Sequence, residues 1–302
     1  GVEGQRSVVK EERSQRYDNQ PYGSLIEETF DHAYTKHPYS WTPIGSVQYI
    51  DKAKLEEFME FYKTYYVPQN ATLSIAGDID VDETKEMIDK YFGDIPKGSK
   101  EIYRPDIVEP EKTSEVRDTV YDNIQLPLVL HAYHIPAQGT KDYYALNMLT
   151  TLLSSGQSSR MYKSLVDKQQ KALQAGSFPL ALEDPGLFLS FAICNAGVNP
   201  NELEDAMQKE LDKVKNEVIS DKEFTKLQNK IENNFVSSNS SVAGIAESLA
   251  NYYVYFGDAN LINNEIDRYM DVTKEDIKEV ANKYLNQDNR VVLYYLPKSA
   301  KK

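Results

Sequence analysis

The apolar residues of this chain recur with helical spacing in two segments that match each other. The first, IGSVQYIDKAKLEEFMEFYKTYYVPQN, starts at residue 44, and the second, IDRYMDVTKEDIKEVANKYLNQDN, starts at residue 266. At this offset of 222 (266 − 44) the apolar faces of the two predicted helices coincide, and so do their candidate N-cap residues, Asp51 and Thr273. A shared stripe and a shared cap indicate that one unit occurs twice.

Each of these helices leads into an apolar strand. The strand ATLSIAG starts at Ala71 and RVVLYYL starts at Arg290, after a loop that is three residues shorter in the second copy. We infer a tandem duplication of one helix-and-strand unit, with a second copy that starts near Thr113. Residue 266 lies 153 positions after the start of the second copy (266 − 113). If residue 44 lies equally far from the start of the first copy, about 110 residues of that copy are expected to be missing from the chain.

The remaining pattern predicts an α+β fold, in which helices pack on largely antiparallel sheets. Short apolar runs such as LPLVLHAYHIP and GLFLSFAICNAG are typical of strands, and helical stretches follow in groups rather than alternating with strands. Residues 98–112 are rich in proline and charge, which is typical of a linker. We expect residues 1–97 to be the C-terminal part of a first, incomplete domain and residues 113–302 to be a second, homologous domain.

Composition and charge exclude several classes of partner. The formal net charge is −13, and phosphate binding needs clustered cations, so we expect no nucleic acid partner. No apolar run approaches the ~18 residues that span a bilayer, so no membrane span is expected. Cys194 is the single cysteine, which excludes an intrachain disulfide; it lies in an apolar strand, where we expect an inert core thiol.

The residues that most often carry chemistry form no recognisable motif. The four histidines, His32, His37, His131 and His134, lack the spacing of metal ligands, and we interpret them as packed or solvated. His131 and His134 are three apart on a predicted strand and should point to opposite faces of it. Since the chain has no glycine-rich phosphate loop, CxxC pair or nucleophile elbow, we assign no catalytic residue.

One carboxylate of the first predicted helix lies where an apolar side chain is expected. Val8 and Val9 mark the apolar stripe of this helix, and Glu12 falls on the same stripe, whereas Glu11 belongs to its flank. An inward carboxylate is costly unless a cation or hydrogen-bond donors receive it. The pattern alone favours a helix-surface glutamate, with a ligand role as the alternative.

The segments around this helix resemble a known family of peptidases. The run QRSVVKEERSQRYDNQPYG, followed in order by HPYSWTPIGS, YYVPQNATLSIAGDID and KYFGDIP, resembles the first half of bacterial zinc peptidases of the pitrilysin or insulinase type, the M16 family. These enzymes carry an inverted zinc motif, HxxEH, whose glutamate is the general base. Their third zinc ligand is a glutamate that follows roughly 70–80 residues later, in a segment like VVKNE.

The resemblance implies that Glu12, the second acidic residue after the lysine that follows the valine pair, is the third zinc ligand. The two histidine ligands and the general base would lie in the missing part of the first copy. The intact parent would then contain zinc, whereas this chain should bind none by itself and should be inactive alone. Gln5 occupies a position at which several relatives have a second glutamate, so the resemblance gives no supporting carboxylate there.

The resemblance also predicts partners. TKDYYALNMLTTLLSSGQSSRMYKSLVDKQQ is similar to the helices that open the family's second domain. Relatives that act as the half without zinc carry an arginine and a tyrosine after this segment, at the positions of Val166 and Leu173 here. The chain thus resembles the zinc-bearing half, and the Arg/Tyr pair would come from a second homologous half or subunit that encloses a peptide substrate with it.

Two other classes of function stay open at this point. The first is a non-catalytic structural or assembly subunit with the same fold, and the second is an unrelated binding module built on duplicated α+β domains. Localisation is unknown: the resemblance suggests the cell envelope or periplasm, and the cytoplasm stays open.

Overall fold

The computed structural model describes residues 1–301. The α-helices, in chain order, are α1 (Val2–Arg13), α2 (Leu25–Ala33), α3 (Val47–Lys52), α4 (Leu55–Tyr65), α5 (Val81–Phe92), α6 (Lys141–Ser154), α7 (Pro200–Asn216), α8 (Asp221–Ser238), α9 (Val242–Phe256), α10 (Leu261–Met270) and α11 (Lys274–Tyr284). The β-strands are β1 (Val116–Asp122), β2 (Leu128–Ile135), β3 (Ala172–Leu180), β4 (Gly186–Cys194) and β5 (Arg290–Pro297). π-Helical turns occupy Ser14–Asp18 and Tyr162–Lys168.

The five strands form one mixed sheet with the order β1-β5-β2-β4-β3. β1 and β5 are parallel, with Val116 opposite Val291, whereas the other three pairs are antiparallel. β5 is therefore an interior strand, with a parallel neighbour on one side and an antiparallel neighbour on the other. The predicted α+β fold, with helices on a largely antiparallel sheet, is confirmed.

Different helices cover the two faces of this sheet. Leu130 of β2 and Leu293 and Tyr295 of β5 belong to one buried cluster, against which Phe30 of α2 packs. Side chains alternate along a strand, so Tyr294 points to the opposite face, where its hydroxyl donates to a carboxylate of α7. α6, α7 and α11 contact the sheet as well. The sheet is thus buried between helical layers.

Two compact units are interleaved along the chain, and all five strands belong to the second. The first unit comprises Gly1–Lys10, Gly45–Asp106 and Glu232–Ile266, and the second comprises Glu11–Ile44, Ile107–Ile231 and Asp267–Lys302. Residues 98–112 contain neither helix nor strand. The sequential division into residues 1–97, a linker and residues 113–302 stays a prediction.

The order of elements repeats between residues 2–78 and residues 221–297. α1 begins at Val2 and α8 at Asp221, an offset of 219 (221 − 2). At the same offset α4 matches α11 at both ends, and Ala71 matches the start of β5 at Arg290. The duplication is thus visible element by element.

The offset of 222 predicted from the sequence is wrong, because Asp51 is not an N-cap. Asp51 lies inside α3, and α4 begins after Lys54, whose amide donates to Glu57 Oε2 at 2.6 Å. The same arrangement closes the start of α11, where the amide of Thr273 donates to Asp276 Oδ2 at 2.8 Å. With these two caps aligned, the loops that lead to the strands have equal lengths.

One predicted strand is absent from the ladders of the described residues, and one observed strand is not predicted. Residues 71–77 have extended backbone at their start, with φ −127° and ψ 142° at Ala71, but they form no ladder with any other part of residues 1–301. Conversely, the apolar pattern does not predict β3, because Gln174, Gly176 and Pro179 interrupt it. Tertiary pairing with β4 forms that strand despite its weak local pattern.

Candidate metal-ligand site

Glu12 lies near the C-terminal end of α1, on the same face as Val8. The helix has no buried residue, and Val8 is 56% exposed. The Glu12 side chain is 41% exposed, and its Oε1 lies 3.1 Å from Nη1 of Arg16, one turn further along. Exposed pairs of this spacing contribute little, so Arg16 leaves Glu12 available to a stronger partner.

The residue next to Glu12 fixes this end of the helix. Arg13 donates through Nη1 and Nη2 to Oε1 and Oε2 of Glu27 in α2, at 3.1 and 2.8 Å. Asp18 Oδ1 lies 3.4 Å from Arg13 Nε. The hydrogen bonds with Glu27 raise the pKa of Arg13 above its usual value. This two-point contact sets the position of the last turn of α1 relative to α2.

Two neighbouring side chains are natural comparisons for Glu12. Glu11 is exposed on the flank of the helix, and its Oε1 accepts a hydrogen bond from Gln15 Nε2 at 2.7 Å. Gln5 is exposed two turns earlier and adds no carboxylate. The position on the apolar stripe therefore distinguishes Glu12 from the other acidic residue of this turn.

The second copy shows what surrounds the same helix face when it is covered. At the offset of 219, Glu12 corresponds to Ile231 and Val8 to Leu227 of α8, and these two residues are only 6% and 3% exposed. A cavity of about 30 Å³ beside this face is lined by Leu227 and by Thr151 and Leu152 of α6. The position of Glu12 is thus occupied, in the second copy, by a buried apolar side chain, and Leu227 of the same helix lines a cavity together with residues of α6.

The residues present do not by themselves make a zinc site. Zinc in proteins has three or four side-chain ligands. Within residues 1–301, no group of three or more histidine, cysteine, aspartate or glutamate side chains is arranged to hold a metal ion. Glu12 has an arginine, and not a second ligand, as its nearest charged neighbour. Glu12 can contribute one ligand to a metal site, but it cannot form a metal site by itself.

His131 and His134 lie on opposite faces of β2, as predicted. The buried His131 has Nε2 3.4 Å from Glu204 Oε1 of α7, although the two groups are not aligned for a hydrogen bond. The ring of His134 stacks on Tyr34, with centroids 5.1 Å apart. Burial lowers the pKa of both imidazoles. They are packed histidines.

The two N-terminal histidines are held by carboxylates. His32 Nε2 lies 3.0 Å from Asp118 Oδ2, and His37 Nε2 lies 3.3 Å from Asp184 Oδ2. Burial alone would lower the pKa of His32, but its contacts with the Glu28 carbonyl and with Asp118 raise it. These contacts are consistent with a structural role for both histidines.

An ionic cluster around Glu204 has no signature in the sequence pattern. Arg117 Nη1 donates to Glu204 Oε2 at 3.0 Å, and the Tyr294 hydroxyl donates to the same oxygen. Burial by itself would raise the pKa of Glu204, but the nearby His131 and these two donors bring it far below its usual range. Glu204, Arg117 and Tyr294 come from α7, β1 and β5, so no local sequence pattern predicts the cluster.

Val166 and Leu173 are the residues that the resemblance aligns with the arginine and tyrosine of the half without zinc. Val166 is half-buried in the π-helical turn before β3, and Leu173 is 59% exposed at a bulge in β3. Neither side chain offers a charge or a hydroxyl. Cys194 is buried at the end of β4, and burial raises the pKa of its thiol to about 11, as expected of a core thiol.

The family of the chain follows from its match to known proteins. Residues 52–231, more than half of the chain, match the family described as the peptidase M16 inactive domain. The chain therefore belongs to the M16 peptidase family. Across residues 1–301, every helix is too short or too polar to cross a membrane.

Relatives extend this match to nearly the whole chain. Zinc protease PqqE of Helicobacter pylori is 34% identical over 299 residues, which cover 97% of this chain and 66% of the relative. A crystal structure of a protease from Helicobacter pylori superposes with a TM-score of 0.93 at 31% identity, covering 98% of this chain and 72% of that one. Complex III2 from Candida albicans matches 97% of this chain and 69% of its own with a TM-score of 0.76 at 14% identity, which shows the fold alone.

The matched relatives are longer than this chain. It spans about two thirds of the length of PqqE and of the rickettsial proteins named as uncharacterized zinc proteases. These curated relatives are bacterial and are named as zinc proteases, so the family includes zinc-dependent proteases.

Proposed function

We propose that this chain is part of the zinc-bearing half of an M16 endopeptidase, in which Glu12 supplies the carboxylate ligand. The observation that carries the proposal is the position of Glu12. It lies on a helix face that the second copy buries with Ile231, yet here the side chain is charged and accessible. A carboxylate at a position built for burial needs a cation to receive it.

The spacing of the second copy supports the same ligand. In the family, HxxEH precedes the ligand glutamate by roughly 70–80 residues. Counted back from Ile231, 80 residues lead to Thr151 (231 − 151), at the end of α6, beside the face of α8 that carries Leu227. A first copy with the same order of elements would therefore bring an HxxEH helix to the face of α1 that carries Glu12.

Two further features suit a ligand at this position. The Arg13–Glu27 pair fixes the last turn of α1 and therefore the backbone position from which the Glu12 side chain projects. A ligand that is held in place binds a metal more tightly than a mobile one. The competing contact, with Arg16, lies on an exposed helix surface and is weak. The histidine ligands would come from polypeptide outside residues 1–302.

The intact protein would cleave peptides between two homologous halves. Val166 and Leu173 lack the charge and the hydroxyl with which a helper half would contact a peptide backbone. A second half or subunit would supply that Arg/Tyr pair, and peptide would bind between the two. A chain without the second half, or without the histidines, should hydrolyse no peptide.

The test compares two adjacent glutamates in a polypeptide extended on the N-terminal side of Gly1 by its own coding sequence. Glu12→Gln should lower zinc content and peptide hydrolysis together, because an amide is a poorer zinc ligand than a carboxylate. Glu11→Gln is the matched control, since Glu11 lies on the flank of the same turn and should leave both unchanged. Zinc is measured by mass spectrometry of the purified protein, and hydrolysis with a quenched fluorescent peptide.

The zinc content and the activity of these variants distinguish the ligand assignment from the alternative function. Full zinc occupancy and turnover in Glu12→Gln, or damage from Glu11→Gln, would falsify the ligand assignment. An extended polypeptide that lacks HxxEH, binds no zinc and hydrolyses no peptide would support the alternative, a non-catalytic assembly subunit with this fold.

A further inference from the structure

A cavity of the second unit is lined by more positive than negative charge. It has a volume of about 30 Å³, and its lining residues come from the end of α6, the loop that follows α6, and α8. The charged residues of the lining are three cations and one carboxylate, Arg160, Lys226, Lys230 and Glu223. The lining therefore has a formal charge of +2 (3 − 1), although the chain as a whole has a net charge of −13.

One of the three cations is neutralised within the lining. Arg160 donates through Nε and Nη2 to the two carboxylate oxygens of Glu223, both at 3.0 Å. Glu223 Oε2 also accepts a hydrogen bond from the Ser220 hydroxyl at 3.0 Å. The hydrogen bonds from Arg160, the largest effect, lower the pKa of Glu223 to about 2. Because this carboxylate is engaged by Arg160 and Ser220, it leaves the two lysines without a counter-charge.

Lys226 and Lys230 are the uncompensated cations. Within residues 1–301 neither lysine pairs with a carboxylate, and the ammonium group of Lys226 donates to a neutral acceptor, the hydroxyl of Ser158. The two lysines lie four residues apart, so they leave the same face of α8, and like charges at this spacing repel each other. An anion in the cavity that both of them line would relieve this repulsion.

The first copy shows that the fold itself does not need these cations. At the offset of 219, Lys226 and Lys230 correspond to Ser7 and Glu11 of α1. The same position in the repeated unit thus has opposite charge in the two copies. The pair of lysines is a feature of the second copy, and it makes the surroundings of its cavity attractive to anions.

The size and the lining of the cavity favour one kind of anion. A volume of about 30 Å³ accommodates about two water-sized groups, which matches the two oxygens of a carboxylate. Leu152 and Leu227 add apolar surface against which the carbon atoms next to a carboxylate can pack. Inorganic phosphate has four oxygens and no apolar part, so it matches this lining less well.

We propose that this cavity binds a carboxylate group between the ammonium groups of Lys226 and Lys230. Since Ser158 Oγ accepts from Lys226, its own proton is free to donate to the bound group. Two sources carry this chemistry, a small free acid and the C-terminus of a peptide. Every residue of the site belongs to the second unit, and the proposal depends neither on Glu12 nor on zinc.

Titration of the purified chain with sodium acetate at constant ionic strength tests the site. Saturable chemical-shift changes are expected for the backbone amides of residues 155–160 and 226–230. Lys226→Gln and Lys230→Gln should each weaken acetate binding by about tenfold, because each removes a charged hydrogen-bond donor. Lys230→Arg keeps the charge and should bind acetate within about threefold of the original chain. Lys209→Gln, on an exposed position of α7, removes the same charge outside the cavity and should leave binding unchanged.

Two peptides and inorganic phosphate distinguish the sources of the bound group. If N-acetyl-trialanine with a free C-terminus binds at least about tenfold more tightly than acetate, and its C-terminal amide does not bind, the site takes the end of a peptide. If the free peptide and acetate bind equally and the amide does not bind, the site takes a small free acid. Equal binding of the peptide and its amide, or tighter binding of phosphate than of both carboxylates, would overturn the proposal. So would the absence of saturable shifts, or equal weakening by Lys209→Gln and Lys230→Gln.

Discussion

The guanidinium of Arg13 and the carboxylate of Glu27 meet through two parallel hydrogen bonds, of 3.1 and 2.8 Å. Parallel bonds between these two groups define an orientation as well as a distance. Arg13 is the last residue of α1, and Glu27 lies in the first turn of α2. The pair therefore fixes the helix end from which Glu12 projects, and the candidate ligand depends on a contact that is not itself part of the metal site.

Replacing Glu27 by glutamine should weaken this contact and lower the free energy of unfolding. The amide keeps one acceptor but loses the charge, and a charged hydrogen bond that is half-buried contributes about 1–2 kcal/mol. Chemical denaturation of both proteins, followed by circular dichroism, measures the difference. Glu11→Gln should change stability by less than about 0.5 kcal/mol, because Glu11 makes only an exposed contact. Equal effects of the two changes would contradict this role of the pair.

The carboxylate of Glu109 makes the stability of the fold depend on pH. Its carboxylate accepts hydrogen bonds from the amides of Thr35, Lys36 and His37, at 2.7, 2.9 and 2.8 Å. Burial alone would raise the pKa of Glu109, but these amides and the Thr35 hydroxyl lower it to about 2. The contribution of Glu109 is thus complete above its ordinary pKa of 4.5 and is lost as the pH falls towards 2.

Glu109→Gln should therefore flatten the pH dependence of stability below about pH 5. At pH 7 the variant should be less stable by about 1–2 kcal/mol, a figure that allows for solvent screening of this carboxylate, and near pH 2 the two proteins should be equal. Denaturation curves between pH 2 and 7 measure this. Glu111→Gln, two residues further on and exposed, should follow the original protein throughout.

Much of this fold is predictable from the sequence because the elements that pack against others have regularly spaced apolar residues. The stripe of α4 and the runs of β2 and β4 predict these elements, since each has one well-defined apolar pattern. Glu12 could be singled out for the same reason, because a carboxylate on an apolar stripe is conspicuous. The duplication was visible as well, although its offset was wrong by three residues.

The remaining features depend on contacts between distant segments. The N-cap of α4 is a lysine whose amide donates to Glu57, and because lysine gives no capping signal, the sequence pattern favours Asp51 instead. β3 forms by pairing with β4, against its own pattern. The partners of Glu204 lie 87 and 90 residues away along the chain. No window of local sequence contains these interactions.

The cluster around Glu204 should contribute more to stability than any exposed ion pair. Glu204→Gln removes the charge that Arg117 and Tyr294 share inside the second unit, and we expect a loss of about 2–3 kcal/mol. Glu202→Gln, on an exposed position of the same helix, should cost less than about 0.5 kcal/mol. Thermal or chemical unfolding compares the two. A Glu204 variant as stable as the original protein would show that desolvation of the ions cancels their attraction.

The segment from Gly98 to Lys112 should be the first part of the chain that a protease cuts. It contains neither helix nor strand, and most of its residues are exposed. Cuts are expected N-terminal to Ile107, because Glu109 is bound to three amides. Limited proteolysis with a nonspecific protease, analysed by mass spectrometry, identifies the sites. First cuts within β2 or β4 would be inconsistent with this expectation.

The equivalence of Glu12 and Ile231 predicts opposite responses to a carboxylate at the two positions. Ile231 is only 6% exposed, so Ile231→Glu would bury a carboxylate and should destabilise the second unit by about 3 kcal/mol. Asn229→Glu adds the same charge on an exposed position of α8 and should change stability by less than about 0.5 kcal/mol.

At Glu12 the reverse change, Glu12→Ile, should leave the stability of residues 1–302 unaltered or slightly raised, since this half-exposed carboxylate makes only a weak pair. Urea denaturation of the three variants measures all three effects. If Ile231→Glu were as stable as Asn229→Glu, the two helix faces would not be equivalent, and the position of Glu12 would lose its significance.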